Sequence, residues 1–105
     1  MSEFCIVLTT CSKFEEASKI AEAVVAEKSA ACVNIIPGVR SIYRWEGKVA
    51  DDREWLLLIK TRAERFAAVE AKVKALHSYQ VPEVIALPIV AGAEGYMRWL
   101  RGETE

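Results

Sequence analysis

Residues 55–59 read Trp55-Leu-Leu-Leu-Ile59, an uninterrupted apolar run that ends at Lys60. A short run of large apolar residues predicts a β-strand. Successive side chains of a strand point to opposite faces of the sheet, so the odd-numbered residues would share one face and Leu56 and Leu58 the other. A two-layer antiparallel sheet commonly has one apolar and one polar face. This strand therefore predicts a sheet that is covered on both faces.

A long hairpin precedes this strand in the sequence. Residues 39–45 have an extended pattern, and the following Glu46-Gly47 predicts a tight turn. Residues 31–36 are again β-like, and Pro37-Gly38 interrupts the pattern, which predicts a bulge or bend. The charged segment Asp51-Asp52-Arg53-Glu54 is interpreted as a solvated rim of the hairpin.

Two helices are predicted, one before and one after the hairpin. Ser12 with Glu15 matches a capping box, from which a helix would run to about Lys28. Thr61 with Glu64 matches a second capping box, before a helix with one apolar stripe. That stripe consists of Phe66, Val69, Val73 and Leu76.

Two further strands and a last helix complete the predicted order. Residues 4–9 form the first strand and residues 84–90 the last, whose proline predicts an edge position or a strand end. Gly92 is expected to open a short C-terminal helix and Gly102 to close it. The order β-α-β-β-α-β with an extra C-terminal helix is the ferredoxin-like α+β sandwich, here predicted as one domain over residues 1–105.

The predicted strands carry more apolar surface than two helices can cover. The first and last strands, like residues 55–59, are apolar on both faces. We therefore expect other copies of the chain to cover the second face in an obligate oligomer. The alternative is a sheet that is capped by its own hairpin and C-terminus. The residues expected on the second face, or else the residues that alternate with them, are Cys5, Val7, Leu56, Leu58, Val84 and Ala86.

Composition and charge exclude several classes of protein. With 52% hydrophobic residues the chain is not disordered, and no run approaches the roughly 18 apolar residues of a membrane span. Fourteen Lys and Arg against fifteen Asp and Glu give a net charge of −1, without the basic face of a nucleic-acid binder. Met1-Ser2-Glu3 lacks the basic region of a signal peptide, so we expect a cytoplasmic protein with reduced Cys5, Cys11 and Cys32.

Five blocks of sequence, in order along the chain, carry a family resemblance. They are Ala31-Cys-Val-Asn-Ile-Ile-Pro-Gly38, Ser41-Ile-Tyr-Arg-Trp-Glu-Gly47, Leu58-Ile-Lys-Thr61, His77-Ser-Tyr-Gln-Val-Pro-Glu83 and Ala86-Leu-Pro88. Together they resemble the CutA divalent-cation tolerance family. The resemblance implies a homotrimer that assembles like the PII signalling proteins, a role in tolerance of copper and other divalent metals, and no enzymatic activity. No metal would be required for folding.

The resemblance also implies metal ligands. His77, the only histidine, matches one of two adjacent histidines that some bacterial members carry, and Leu76 stands in place of the other. Those members have a cysteine at the end of the first strand, where Thr9 stands here, and Cys11 two residues later is the candidate thiol. Imidazole and thiolate suit Cu(II) or a similar divalent metal, and Glu83 is a candidate oxygen ligand. The alternatives are a histidine that caps a helix end and a solvated carboxylate.

A second hypothesis is a PII-like small-molecule sensor with pockets between subunits. Tyr43 and Trp45 share one face of the hairpin and, with Tyr79, are candidate lining residues, although such aromatic residues also pack at interfaces. Lys60 interrupts an apolar strand and is a candidate for binding a carboxylate or phosphate, or for an ion pair between subunits. A phosphatase on this fold would need a glycine-rich loop after the first strand, and Thr10-Cys-Ser-Lys13 contains no glycine.

Overall fold

The elements follow one another in the predicted order. The computed structural model describes residues 2–105, so Met1, which belongs to the segment inspected for a signal peptide, lies outside the described residues. The elements are β1 (Phe4–Cys11), α1 (Phe14–Ala26), β2 (Cys32–Trp45), β3 (Lys48–Arg62), a 3₁₀ turn (Ala63–Arg65), α2 (Phe66–Leu76), β4 (Ile85–Pro88) and α3 (Glu94–Glu103).

The four strands form one antiparallel sheet in the order β2-β3-β1-β4. This order confirms the ferredoxin-like prediction, with β1 and β3 in the centre. β4 lies at an edge, where Pro88 removes no ladder hydrogen bond from a central strand.

The helices α1 and α2 cover one face of the sheet, as predicted. Leu57 and Ile59 of β3 are fully buried there, in one cluster with Ile20 of α1 and with Val69 and Val73 of α2. Full burial of each such side chain is worth about 1.5–3 kcal/mol. The apolar stripes read from the sequence are therefore the faces that the helices turn to the sheet.

The opposite side of the sheet, which we call the open face, is also apolar. Directly paired residues share a face, and Leu8 pairs with Leu58 on one side and with Ile85 on the other. The open face consists of Ile6, Leu8, Ile36, Leu56, Leu58, Ile85 and Leu87. The prediction that both faces are apolar is therefore correct.

The assignment of residues to this face was partly wrong, because those named in the first and last predicted strands lie on the helix side. Cys5 and Val7 are buried under the helices, at 4% and 0% exposure, and Ala86 pairs with Val7. Val84 packs against the same helix-side core. When a strand is apolar on both faces, its sequence does not show which of the two alternating sets of residues faces the helices. Here the residues that alternate with the predicted ones lie on the open face.

The last helix, α3, packs across one end of the open face. The Nζ of Lys60 lies 5.8 Å from the ring centroid of Tyr96, and the Nε of Arg62 donates to the Oγ1 of Thr104 at 2.9 Å. Leu100 of this helix is fully buried. The helix covers only the Lys60 end, so Ile85 and Leu87 remain about half exposed.

Several predicted helix ends were wrong. The N-cap of α1 is Lys13, which makes no side-chain cap hydrogen bond, so the first capping box does not form. Thr61 does not cap the second helix, because its hydroxyl is buried and donates to the carbonyl oxygen of Ser29 at 2.6 Å. The last helix begins after Gly92 and contains Gly102. Two of the misplaced signals have another role: Thr61 is used inside the core, and a Cβ at Gly92 would collide with the side chain of Met97.

The β2–β3 hairpin extends beyond the rest of the sheet. Its turn, Glu46-Gly47, has φ angles of 51° and 78°, which fit the predicted tight turn with two left-handed residues. A register shift confirms the bulge at Pro37-Gly38. Because β1 ends opposite Trp55, residues 48–54 of β3 pair with β2 alone.

Candidate functional site

Three potential metal ligands meet at one end of the helix layer. Cys11 is the last residue of β1, Glu16 lies in the first turn of α1, and His77 directly follows α2. One ligand atom from each residue lies within 4.8 Å of the other two, and no other such group occurs among residues 2–105. The fold thus brings Cys11 and His77 together across 66 positions of sequence. It adds Glu16, which the sequence did not single out because acidic residues are common in first turns.

The His77 ring is fully buried, and both of its nitrogens have hydrogen-bond partners. Nε2 lies 2.7 Å from the carbonyl oxygen of Thr10 and 3.7 Å from the Sγ of Cys11. Nδ1 accepts a hydrogen bond from the backbone N–H of Tyr79 at 3.1 Å. These partners fit the neutral ring with its proton on Nε2. A metal bound at Nε2 would require the other neutral tautomer, in which the ring proton lies on Nδ1, 3.6 Å from the Oε2 of Glu16. The hydrogen bonds of Nε2 to Thr10 and of the Tyr79 N–H to Nδ1 would then be lost.

The Cys11 thiol is fully buried. Burial raises its pKa to about 12, and the negative charges of Glu16 and Glu54 contribute in the same direction. The thiol is therefore protonated at neutral pH. Since a cysteine binds metal as the thiolate, an ion at this site would have to displace the thiol proton.

Glu16 is bound to the loop that follows α2. Its carboxylate accepts hydrogen bonds from the backbone N–H of Ser78 at 2.8 Å and from the Ser78 hydroxyl at 3.2 Å. Its Oε2 lies 3.6 Å from Nδ1 of His77, so Glu16 and Cys11 flank different ring nitrogens. Thiolate, imidazole and carboxylate form a donor set that Zn(II) and Cu(II) accept. The residues fit such an ion chemically, and Glu16 would have to move for all three to share it.

Glu83 and Lys60 lie outside this cluster. Glu83 lines a cavity that Thr10 also lines, and it is not in the three-residue group. Lys60 lies against Tyr96 of α3, near the end of β3 that is remote from the hairpin turn. Their roles as an oxygen ligand and an anion anchor therefore stay predictions from the sequence.

Three of the four predicted ligand-binding residues line one cavity. Tyr43 and Trp45 come from β2, and Tyr79 comes from the loop after α2. Gln80 and Val81 complete the lining of this space of about 250 Å³, which we call the aromatic cavity. It forms because the loop packs beside the part of the hairpin that β1 leaves unpaired.

A second space of about 490 Å³ adjoins the aromatic cavity and shares Tyr43, Trp45 and Val81 with it. We call it the acidic cavity, because Glu54 and Glu83 line it, and we call the two spaces together the groove. The other lining residues of the acidic cavity are Thr10, Arg40, Ser41 and Ile42.

Glu54 corrects the prediction that residues 51–54 form a solvated rim. It is only 4% exposed, and its Oε2 accepts a hydrogen bond from the hydroxyl of Tyr79 at 2.5 Å. The sequence held one signal for this placement. By alternation Glu54 shares a face with Leu56 and Leu58, so it continues the open face toward the hairpin.

Comparisons with known proteins converge on one family. A family model described as "CutA1 divalent ion tolerance protein" matches residues 5–103. The "Divalent-cation tolerance protein CutA" of Thermus thermophilus is 52% identical over 99 residues, which is 94% of this chain and 96% of that protein. The chloroplastic protein CutA of Arabidopsis thaliana is 50% identical over 99 residues, 94% of this chain, but the match spans only 54% of that longer protein.

The fold leads to the same family. The solved structure of the "Periplasmic divalent cation tolerance protein CutA" from Archaeoglobus fulgidus superposes with a TM-score of 0.94. It is 39% identical, and the match covers 97% of this chain and 99% of that one. Within residues 2–105 none of the helices has the length and apolar character needed to cross a membrane.

Proposed function

Because the chain belongs to the CutA1 divalent ion tolerance family, we propose that it acts in divalent-cation tolerance by binding an ion such as Cu(II). The proposed ligands are Cys11, Glu16 and His77. The observation that carries this proposal is their convergence within 4.8 Å from three different elements. The matched family and the Thermus thermophilus relative are named for tolerance rather than for a reaction, which supports a binding protein and not an enzyme.

Binding of the ion would reorganise the cluster. The ion would replace the Cys11 thiol proton and would take Nε2 of His77 away from Thr10. A buried, protonated thiol opposes metal binding at neutral pH, so we expect a moderate affinity. The affinity should increase by up to about tenfold for each unit by which the pH is raised, because one thiol proton is released on binding. The metal would not be needed for folding, since every element is already packed without it.

Calorimetric titration of Zn(II) and Cu(II) tests this proposal. We expect one binding site per chain in the wild type and at least about tenfold weaker binding in His77→Ala and in Cys11→Ser. Glu16→Gln keeps an oxygen that Ser78 can hydrogen-bond and should weaken binding less. Cys32→Ser, at the partly exposed thiol, is the matched control and should bind like the wild type.

The proposal fails if the cluster variants bind as the wild type does, because the ion would then be held elsewhere. Zn(II) is included since it cannot oxidise thiols, whereas Cu(II) can be reduced by them. Equal loss of binding in Cys32→Ser and Cys11→Ser would likewise contradict a specific site.

We further propose that one domain of this kind assembles as a cytoplasmic homotrimer. The apolar open face supports assembly, since such a face needs a partner. Three free cysteines, with no disulfide among residues 2–105, support a reducing compartment. The Arabidopsis thaliana and Archaeoglobus fulgidus relatives are named as chloroplastic and periplasmic, so the compartment differs between relatives.

A second candidate function is a small-molecule sensor. The convergence of Tyr43, Trp45 and Tyr79 on the aromatic cavity favours it. A metal at His77 would affect the aromatic cavity through Tyr79. The backbone N–H of Tyr79 donates to Nδ1 of His77, and the two ring centroids are 4.6 Å apart.

A further inference from the structure

The groove combines aromatic walls with a buried carboxylate. Tyr43 and Trp45 line both of its cavities, and Tyr79 lines the aromatic cavity. Glu54 lines the acidic cavity at 4% exposure, and among residues 2–105 only Tyr79 hydrogen-bonds its carboxylate. A carboxylate removed from water in this way is costly unless a positive group approaches it.

The charges that face the groove are mainly negative. Arg40 is the one cationic side chain among its described lining residues, and it makes a bidentate pair with Asp51 at 2.9 and 2.7 Å. Glu54 and Glu83 have no ion-pair partner in the described part of the chain. Asp52 adds a further negative charge beside the groove, because it accepts a hydrogen bond from Tyr43.

Both tyrosines donate to carboxylates, Tyr79 to Glu54 and Tyr43 to Asp52. The pKa of Tyr43 is raised by its hydrogen bond to Asp52, then by burial and by the charges of Asp52 and Glu54. The Tyr43 phenol therefore stays a neutral donor, and the excess of carboxylates disfavours an anion in the groove. Lys60, the predicted anion anchor, lies against α3 instead.

We propose that the groove binds a small organic ammonium ion, which lies against the rings of Tyr43 and Trp45 while Glu54 offsets its charge. Aromatic faces attract alkylammonium groups, and nearby carboxylates add to the attraction. A divalent metal suits the groove less well, because hard cations need several converging oxygen ligands and the one group of three metal-ligating side chains among residues 2–105 lies elsewhere, at Cys11, Glu16 and His77. This inference names the ligand class for the sensor function proposed above and rests on that function.

Choline and its neutral isostere 3,3-dimethylbutan-1-ol separate charge recognition from simple burial of apolar surface. Propionate serves as an anionic probe. We expect choline to bind the full chain and the neutral isostere to bind at least about tenfold more weakly. Propionate should not bind. Calorimetry or changes in NMR chemical shift can follow each titration up to about 10 mM, above the millimolar affinity expected for so small a ligand.

Matched variants locate the binding. Trp45→Ala should weaken choline binding at least about fivefold, whereas Trp99→Ala should not, although the two tryptophans are 46% and 44% exposed. Glu54→Gln keeps an acceptor for Tyr79 and should weaken binding to a similar extent. Glu83→Gln removes the second negative charge of the acidic cavity and should also weaken choline binding. Glu83 is exposed, so this substitution should not disturb folding.

The outcomes distinguish this inference from the sensor function. Equal affinity for choline and the neutral isostere, or choline binding that no groove variant alters, overturns the ammonium assignment. Propionate binding that Trp45→Ala abolishes overturns the ammonium assignment but keeps the sensor function. No binding by any of the three probes counts against both.

Discussion

Thr9 and Thr61 are fully buried threonines on neighbouring strands, but only one of them has a hydrogen-bond partner. Thr61 donates to the Ser29 carbonyl oxygen, whereas Thr9 Oγ1 has no partner among residues 2–105. An unpaired buried hydroxyl costs about 1–3 kcal/mol. We expect Thr9→Val to raise the free energy of unfolding by about 1 kcal/mol, and Thr61→Val to lower it by about 1–2 kcal/mol, in urea denaturation.

The two threonine variants control for each other, because both exchange a hydroxyl for a methyl group at 0% exposure. If Thr9→Val proved as destabilising as Thr61→Val, the Thr9 hydroxyl would have to be satisfied in solution, for example by a buried water.

At the scale of single residues, the sequence pointed to site residues of rare types and missed those of common types. His77 and Cys11 stood out because histidine and cysteine are rare in this chain. Glu16 and Glu54 did not, because carboxylates are common on surfaces and only the fold places one beside His77 and buries the other. Which carboxylate joins a site is a property of tertiary structure.

At the scale of elements, the hairpin turn offers a test of backbone strain. Gly47 has a φ of 78°, and a Cβ added there would meet no atom within 4 Å. Any cost of Gly47→Ala therefore comes from the left-handed backbone alone, and we expect a loss of about 1–2 kcal/mol in the free energy of unfolding. Thermal and urea denaturation would measure it.

Gly95 in α3 is the matched control for Gly47. It also has open space around its Cβ position, but it lies in a helix without a positive φ. Gly95→Ala should raise the free energy of unfolding by a few tenths to about 1 kcal/mol. Equal effects of the two substitutions would contradict the assignment of strain to the turn.

The helices and strands could be predicted because the spacing of apolar residues differs between the two. Their ends, and the faces that the strand residues occupy, could not. The stripe Phe66, Val69, Val73 and Leu76 recurs at intervals of three and four residues, the period of a helix, and its central members Val69 and Val73 are the buried residues of α2. The capping boxes failed because a two-residue motif is easily matched by chance, and Thr61 was needed inside the core. The phase of β1 was lost because both of its faces are apolar.

At the scale of the whole molecule, the open face has no cover within the described chain apart from α3 at one end. Ile85 and Leu87 at the edge strand are 49% and 48% exposed, and Ile36 on the other edge is 40% exposed. Burial of apolar surface gains about 25 cal/mol per Å², so a face of this width favours association of copies. The proposed homotrimer is the assembly that the family resemblance implies for this face.

Leu87→Glu tests whether the open face is the interface between copies. The side chain is half exposed in the single chain, so a charge there should leave the subunit folded but should have to be desolvated at an interface. Light scattering behind a sizing column should give the wild type about three times the 11.7 kDa chain mass, and the variant a lower mass at the same micromolar concentration. Val25→Glu, at a 42% exposed position on α1, should behave like the wild type. A monomeric wild type, or an undissociated Leu87→Glu variant, would show that the open face is not the interface between copies of the chain.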